Sequence, residues 1–166
     1  MSTEEYKLLL QHTTIEYIST FLSKEESKVL FDWCLQNLDF GQHKVKIMGM
    51  MIDQPRKTCA VGIENYSYSG LTLKGGPMPD CFIPIIDKLM AFLPENHPRP
   101  NVALCNYYED GTRYISAHSD NETFLFPNSC ICGLSLGATR RFDVIPKDKD
   151  EKKHSINLED GSMIIM

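Results

Sequence analysis

From Val102 onward the chain is a succession of short apolar runs broken by turns, and none is long enough to make a helix. Val102 to Tyr108 is rich in aliphatic and aromatic residues and closes at Glu109-Asp110-Gly111. Tyr114 to Ala117, Cys130 to Leu136, Arg141 to Ile145, His154 to Leu158 and Ser162 to Met166 follow. Upstream, Lys44 to Ile52 and Thr58 to Leu73 have the same character, with turns expected near Asp53-Gln54-Pro55 and Gly75-Gly76-Pro77. Strands this short bury a core only by stacking in two layers, which predicts a β-sandwich or jelly roll.

Two helices come earlier. Ser23-Lys24-Glu25-Glu26 has the spacing of a capping box, and Val29, Leu30, Trp33 and Leu38 follow at helical intervals. After Pro79-Asp80, the residues Phe82, Ile85, Ile86, Leu89, Met90 and Leu93 form a second apolar stripe. Pro84 is tolerated there because it lies in the first turn. Helices followed by many strands make the expected class α+β, with the helices packed on the jelly roll. Neither a repeat nor a linker divides the chain, which predicts one domain over residues 1–166. Ser162 to Met166 enters a buried-looking strand with no polar tail, so the expectation is a partial domain whose last jelly-roll strands lie outside this sequence.

Composition excludes several classes. With 42% hydrophobic and 23% charged residues the chain is neither disordered nor fibrous. No apolar run approaches the roughly 20 residues that span a bilayer, and the acidic start is no signal peptide, so an intracellular location is expected. A net charge of −5 argues against wrapping nucleic acid by bulk charge, while leaving room for a local basic face from Arg56-Lys57, Lys74, Arg140-Arg141 and the lysines of 147–153. The six cysteines lack Cys-x-x-Cys spacing and read as reduced core residues.

The chemistry concentrates at His118-Ser119-Asp120. In extended backbone, residues two apart share a face, so an imidazole and a carboxylate there can occupy adjacent positions on one metal. Non-haem iron(II) oxygenases use two histidines and a carboxylate on one triangular face. Asn106 and Tyr108 share a face by the same period, presenting an amide and a phenol.

Taken in order, Asn106-Tyr107-Tyr108 through His118-Ser119-Asp120-Asn121-Glu122, and then Leu134-Ser135-Leu136-Gly137-Ala138-Thr139-Arg140-Arg141-Phe142, resemble the AlkB family of Fe(II)- and 2-oxoglutarate-dependent dioxygenases. Pro55-Arg56-Lys57 and the stretch from Tyr66 to Leu73 are similar in particular to its double-stranded-DNA repair branch. The resemblance implies that His118 and Asp120 bind Fe(II), and that Asn106 and Tyr108 hydrogen-bond 2-oxoglutarate. It implies that Asn121 and Glu122 read the damaged base, and that Tyr66, Ser67 and Tyr68 line its path. Met48, Gly49 and Met50 would form a hairpin tip entering the duplex, with Arg56 facing DNA. Met48 stands where the family has an aromatic residue and Met50 where it has a lysine.

The implied activity is oxidative demethylation of 1-methyladenine and 3-methylcytosine in DNA, double-stranded DNA favoured, by a nuclear monomer. It consumes O2, decarboxylates 2-oxoglutarate to succinate and releases the methyl group as formaldehyde. The base must leave the helix, and an aromatic face offsets part of the unstacking cost. The family's second iron-binding histidine and its 2-oxoglutarate arginines fall beyond Met166. Within the sequence, His12, His43, His97 and His154 remain as third-ligand candidates. Two ligands hold iron weakly, so the 166-residue chain by itself is expected to be inactive or poorly folded. Two other outcomes are open: an oxygenase acting on RNA or protein, and a catalytically dead nucleic-acid-binding module.

Overall fold

The computed structural model describes residues 5–10, 14–47, 49–120, 125–126 and 129–166. In chain order the elements are β1 (Glu5–Leu9), β2 (Thr14–Ile18), α1 (Lys24–Asn37), β3 (Gly41–Ile47), β4 (Met50–Val61), β5 (Asn65–Tyr68), β6 (Leu71–Lys74), α2 (Ile83–Met90), β7 (Ala103–Tyr107), β8 (Cys132–Leu134), β9 (Arg140–Val144), β10 (His154–Leu158) and β11 (Met163–Ile165). Antiparallel strands dominate, helices are few, and the chain forms two compact units.

The first unit comprises Met1–Gln36 and Cys130–Met166. Its main sheet has the order β1-β2-β11-β8, and β9 and β10 form a separate hairpin. Ile15 and Tyr17 on β2, Ile164 on β11 and Ile156 on β10 make one buried cluster, flanked by Phe142, Val144 and Leu158. The Tyr17 hydroxyl donates to the Asn157 carbonyl at 3.0 Å and accepts from the Glu159 amide at 3.3 Å, so this buried phenol is satisfied in both roles.

α1 begins as the sequence predicts. The Ser23 amide donates to the Glu26 carboxylate at 2.8 Å and the Glu26 amide donates to the Ser23 hydroxyl at 3.1 Å, the two reciprocal bonds of a capping box. Ser23→Ala removes one of them and is expected to cost about 1 kcal/mol, measured as a lower urea midpoint with unchanged slope. The buried stripe of α1 differs from expectation. It consists of Ser27, Leu30 and Cys34, whereas Val29 is 70% exposed. Ser27 takes a buried position because its hydroxyl bonds to Asp160, whose carboxylate also accepts the Gly137 amide at 2.7 Å. Gly161 next to it has φ +77°, and a Cβ there would run into the Leu22 carbonyl, so the turn requires glycine.

On the β9–β10 hairpin, Asp143 accepts hydrogen bonds from Lys153, Ser155 and Arg141. They hold its carboxyl at about 2, Lys153 contributing most. Because the folded value lies below the unfolded one, the stabilisation is complete above about pH 4 and is lost as the pH falls through 2. Asp143→Asn is expected to flatten the acid limb of a stability-against-pH curve between those values and leave the rest unchanged.

The second unit is Asn37–Ser129. It holds the sheet β3-β4-β7 and the hairpin β5-β6. Ala60, Tyr66 and Leu73 form its buried cluster, packed by Ile63, Leu71, Val102 and Leu104. α2 starts just after a 3-10 turn at Asp80–Phe82, with Pro84 in its first turn, and buries Ile86 and Leu89. Cys59 and Cys105 face each other across β4 and β7, and the hydrogen bond between them draws Cys59 below the usual thiol range. None of the six cysteines forms a disulfide, only Cys34 among them is buried, and burial pushes Cys132 up to about 12.

Two expectations about elements are corrected, and one element is added. The turn placed near Asp53-Gln54-Pro55 is strand: the chain reverses at Gly49, and β4 runs unbroken through Pro55. The β3–β4 register jumps there, so that His43 alone stands against Gln54, Pro55 and Arg56. This bulge absorbs a proline that has no N–H for the ladder. Tyr114 to Ala117 is irregular rather than a strand. The N-terminal hairpin of β1 and β2, absent from the sequence expectations, supplies the strand that pairs with β11.

Candidate metal and cosubstrate site

All described residues of the expected site lie in the second unit. β4 builds its framework. Gln54, Arg56, Thr58 and Ala60 alternate inward along the strand, and the first three are buried polar groups. Such groups persist only when paired. The Gln54 amide donates to the Tyr68 hydroxyl at 2.8 Å, and that hydroxyl lies 3.1 Å from Gln54 Oε1 and 3.3 Å from Thr58 Oγ1. Arg56 Nε donates to Asn106 Oδ1 at 2.6 Å. Asn106 is opposite Thr58 in the β4–β7 ladder, which brings it within diagonal reach of Arg56. The turn expected near Asp53-Gln54-Pro55 hides the continuity of this buried polar row in the sequence. The two-residue alternation of Gln54 and Thr58 with Arg56 was the available signal.

Tyr66 and Tyr68 share one face of β5, with ring centroids 5.9 Å apart in an edge-to-face arrangement. Tyr66 is buried in the core cluster and Tyr68 is half-buried. Ser67 points the other way, exposed, its hydroxyl 2.8 Å from that of Thr72. At the β3–β4 tip, Gly49 has φ +84° with open space around it, and Met50 and Met51 are about two-thirds exposed at 63% and 60%. Met48, Asn121 and Glu122 lie outside the described residues. Tyr108 follows directly on β7 and is half-buried.

His118 and Asp120 come together although their segment is irregular. His118 Nδ1 lies 2.9 Å from the Ser116 carbonyl, and a carbonyl only accepts, so Nδ1 carries the proton. In the neutral ring Nε2 then holds a lone pair, and it faces Asp120 Oδ1 at 3.4 Å. Two acceptors face each other across that gap, an arrangement relieved by a proton or a cation between them. Ligands bound at about 2.1 Å in adjacent positions stand about 3 Å apart, so the spacing suits a shared metal ion. A backbone carbonyl holding the other ring nitrogen is the usual support of a ligating histidine. The donor set therefore fits iron, and both side chains are open to solvent. Among the described residues, no cluster of three or more His, Cys, Asp or Glu is present. His43 Nε2 lies 3.3 Å from the Thr58 carbonyl, His97 Nδ1 2.7 Å from the Pro98 carbonyl, and His154 opens β10 in the other unit; His12 is outside the described residues.

The sequence profile of the 2OG-Fe(II) oxygenase superfamily matches residues 14–166, nearly the whole chain. This chain belongs to that superfamily. Its relatives place it in the AlkB family. It is 32% identical over 148 residues to the mouse alpha-ketoglutarate-dependent dioxygenase alkB homolog 3, covering 81% of this chain and 51% of that protein. It is also 32% identical to the DNA oxidative demethylase ALKBH2 of Arabidopsis thaliana over 142 residues, 82% of this chain and 44% of the relative. The mouse ALKBH2 is again 32% identical, over 161 residues, 89% of this chain and 66% of the relative. The chain thus spans about half to two-thirds of the length of these relatives, and identity does not separate the two AlkB homologues. The family takes Fe(II) and 2-oxoglutarate, the pair to which the site residues were assigned. No helix among the described residues is long and apolar enough to cross a membrane.

Proposed function

We propose that this protein is a DNA dioxygenase that removes N-methyl groups from 1-methyladenine and 3-methylcytosine. The observation that carries the proposal is the His118–Asp120 pair, with Nδ1 committed to a carbonyl and Nε2 aimed at a carboxylate. On this reading His118 and Asp120 hold Fe(II), and Asn106 and Tyr108 hold 2-oxoglutarate. Bound iron with 2-oxoglutarate and O2 supplies the oxidation of the N-methyl carbon, which then leaves as formaldehyde.

The chain's own residues orient and receive. Half-buried Tyr68 offers an aromatic face to a base turned out of the helix, with Tyr66, buried in the core cluster, packed edge-to-face behind it, and Asn121 and Glu122 supply polar contacts to the base edge. The exposed Met50 beyond the Gly49 reversal, with Met48, enters the base stack; apolar wedges of this kind kink and open a duplex. Arg56, which the resemblance placed facing DNA, is instead buried and bonded to Asn106. The strands of both units belong, on this proposal, to one jelly-roll domain over residues 1–166, in a nuclear monomer. Family membership supports the chemistry, and relatives named DNA oxidative demethylase support the substrate class.

The test uses the protein expressed from its own gene, incubated with Fe(II), 2-oxoglutarate, O2 and a duplex carrying one 1-methyladenine. Loss of the methyl group by mass spectrometry, with one succinate and one formaldehyde per event, is the expected result. Matched single-stranded DNA and RNA are run beside it. Faster turnover of RNA would move the substrate assignment to RNA. Iron-indifferent, salt-sensitive binding without turnover would instead identify a dead binding module.

A further inference from the structure

We infer that Arg56 is a positioning residue that fixes which end of the Asn106 carboxamide faces the cosubstrate. The inference rests on the proposal that Asn106 binds 2-oxoglutarate. Arg56 is only 8% exposed, and among the described residues no carboxylate pairs with it. An arginine stays charged in a protein, so its buried guanidinium needs an acceptor. Asn106 Oδ1, 2.6 Å from Nε, is that acceptor.

The chemistry of the two groups leaves one orientation. Guanidinium nitrogens only donate, so the amide atom turned to Arg56 is the oxygen, and Nδ2 with its two hydrogens is turned away. Nδ2 reaches the Leu104 carbonyl at 3.5 Å, the long limit of a hydrogen bond, and Asn106 is otherwise exposed. Its hydrogens are therefore available to an incoming carboxylate. Without Arg56 the amide is free to rotate by half a turn, since its two ends are nearly the same size. An oxygen would then meet the anion where a donor is needed. Register adds to this: the last β4–β7 pair is Lys57 with Tyr107, so one further pair would set Tyr108 opposite Arg56.

A double-mutant cycle read by cosubstrate binding tests the inference. The protein from its own gene is titrated with 2-oxoglutarate in the presence of Mn(II), without oxygen, by calorimetry. Asn106→Ala is expected to weaken binding by about 10- to 100-fold, the loss of a hydrogen bond to a charged group. Arg56→Met is expected to weaken it by a smaller factor, about 2- to 10-fold, because a freely turning amide still presents its donor about half the time, Arg56→Lys by less because a donor remains, and the double variant no more than Asn106→Ala alone. Asn106→Asp guards against a folding artefact: its carboxylate still accepts from Arg56, so melting is unchanged or higher, while the lost N–H donors abolish binding. Full additivity in the double variant would mean that Arg56 meets the anion itself, and wild-type binding by Arg56→Met would mean that it does nothing here; either overturns the inference. Wild-type binding by Asn106→Ala overturns the assignment of Asn106 and this inference together.

Discussion

Replacing His118 with alanine is expected to lower affinity for Fe(II) or Mn(II) at least about a hundredfold and to abolish formaldehyde release. Loss of a group that merely supports a metal ligand costs 10- to 100-fold, so loss of the ligand itself sets that range as a floor. His118 is exposed, and its contacts among the described residues, the Ser116 carbonyl and Asp120, lie two residues to either side, so the fold does not depend on it. Stability should therefore change little while binding disappears. Asp120→Asn keeps the shape and removes the charge, and it should reproduce the binding loss with the imidazole in place. Manganese titration followed by paramagnetic resonance reads both variants without turnover. Equal affinity in His118→Ala and wild type would show that the 3.4 Å imidazole–carboxylate pair is an ordinary surface ion pair.

The sequence made this pair legible, though for a reason the structure modifies. Two-residue spacing was expected to act through an extended strand, but Tyr114 to Ala117 is irregular and the backbone carbonyl of Ser116 orients the ring instead. Carbonyl positions in irregular backbone leave no trace in composition or periodicity. Pro55 shows the opposite failure. Proline is strong turn chemistry when read locally, yet a bulge against His43 accommodates it, and a row of buried polar groups continues on both sides. Tertiary pairing overrode local propensity there, as it did for Val29, which helical spacing placed inward and packing left exposed. Signals that are complete within a few residues survived intact: the Ser23–Glu26 box formed with both bonds, and Asp110 caps its turn by accepting from Thr112.

Ile164→Ala is expected to be the most destabilising single truncation in the first unit, at about 2–5 kcal/mol. The side chain is 2% exposed within the cluster of Ile15, Tyr17 and Ile156. Its strand, β11, is paired on both sides, with Ile164 opposite Tyr17 on β2 and Gly133 on β8. A strand held from two sides cannot shift to fill the space, so the cavity stays open and its cost adds to the lost transfer energy. Domains of this size are stable by roughly 5–15 kcal/mol, so the variant should lose a large share of its margin. Ile164→Val removes one methylene and should cost about 0.5–1.5 kcal/mol. Gly133→Ala tests the same contact from the other strand: a Cβ there would stand 3.0 Å from Ile164 Cγ2, closer than packed side chains sit. Combined with Ile164→Ala, which removes Cγ2, that added methyl has room, so this double variant should be less destabilised than the sum of the singles, whereas Ile164→Val keeps the γ-methyl and should give no such relief. Urea denaturation of the set reads both effects, and simple additivity with Ile164→Ala would mean that β11 relaxes freely and is not the clamped centre of its sheet.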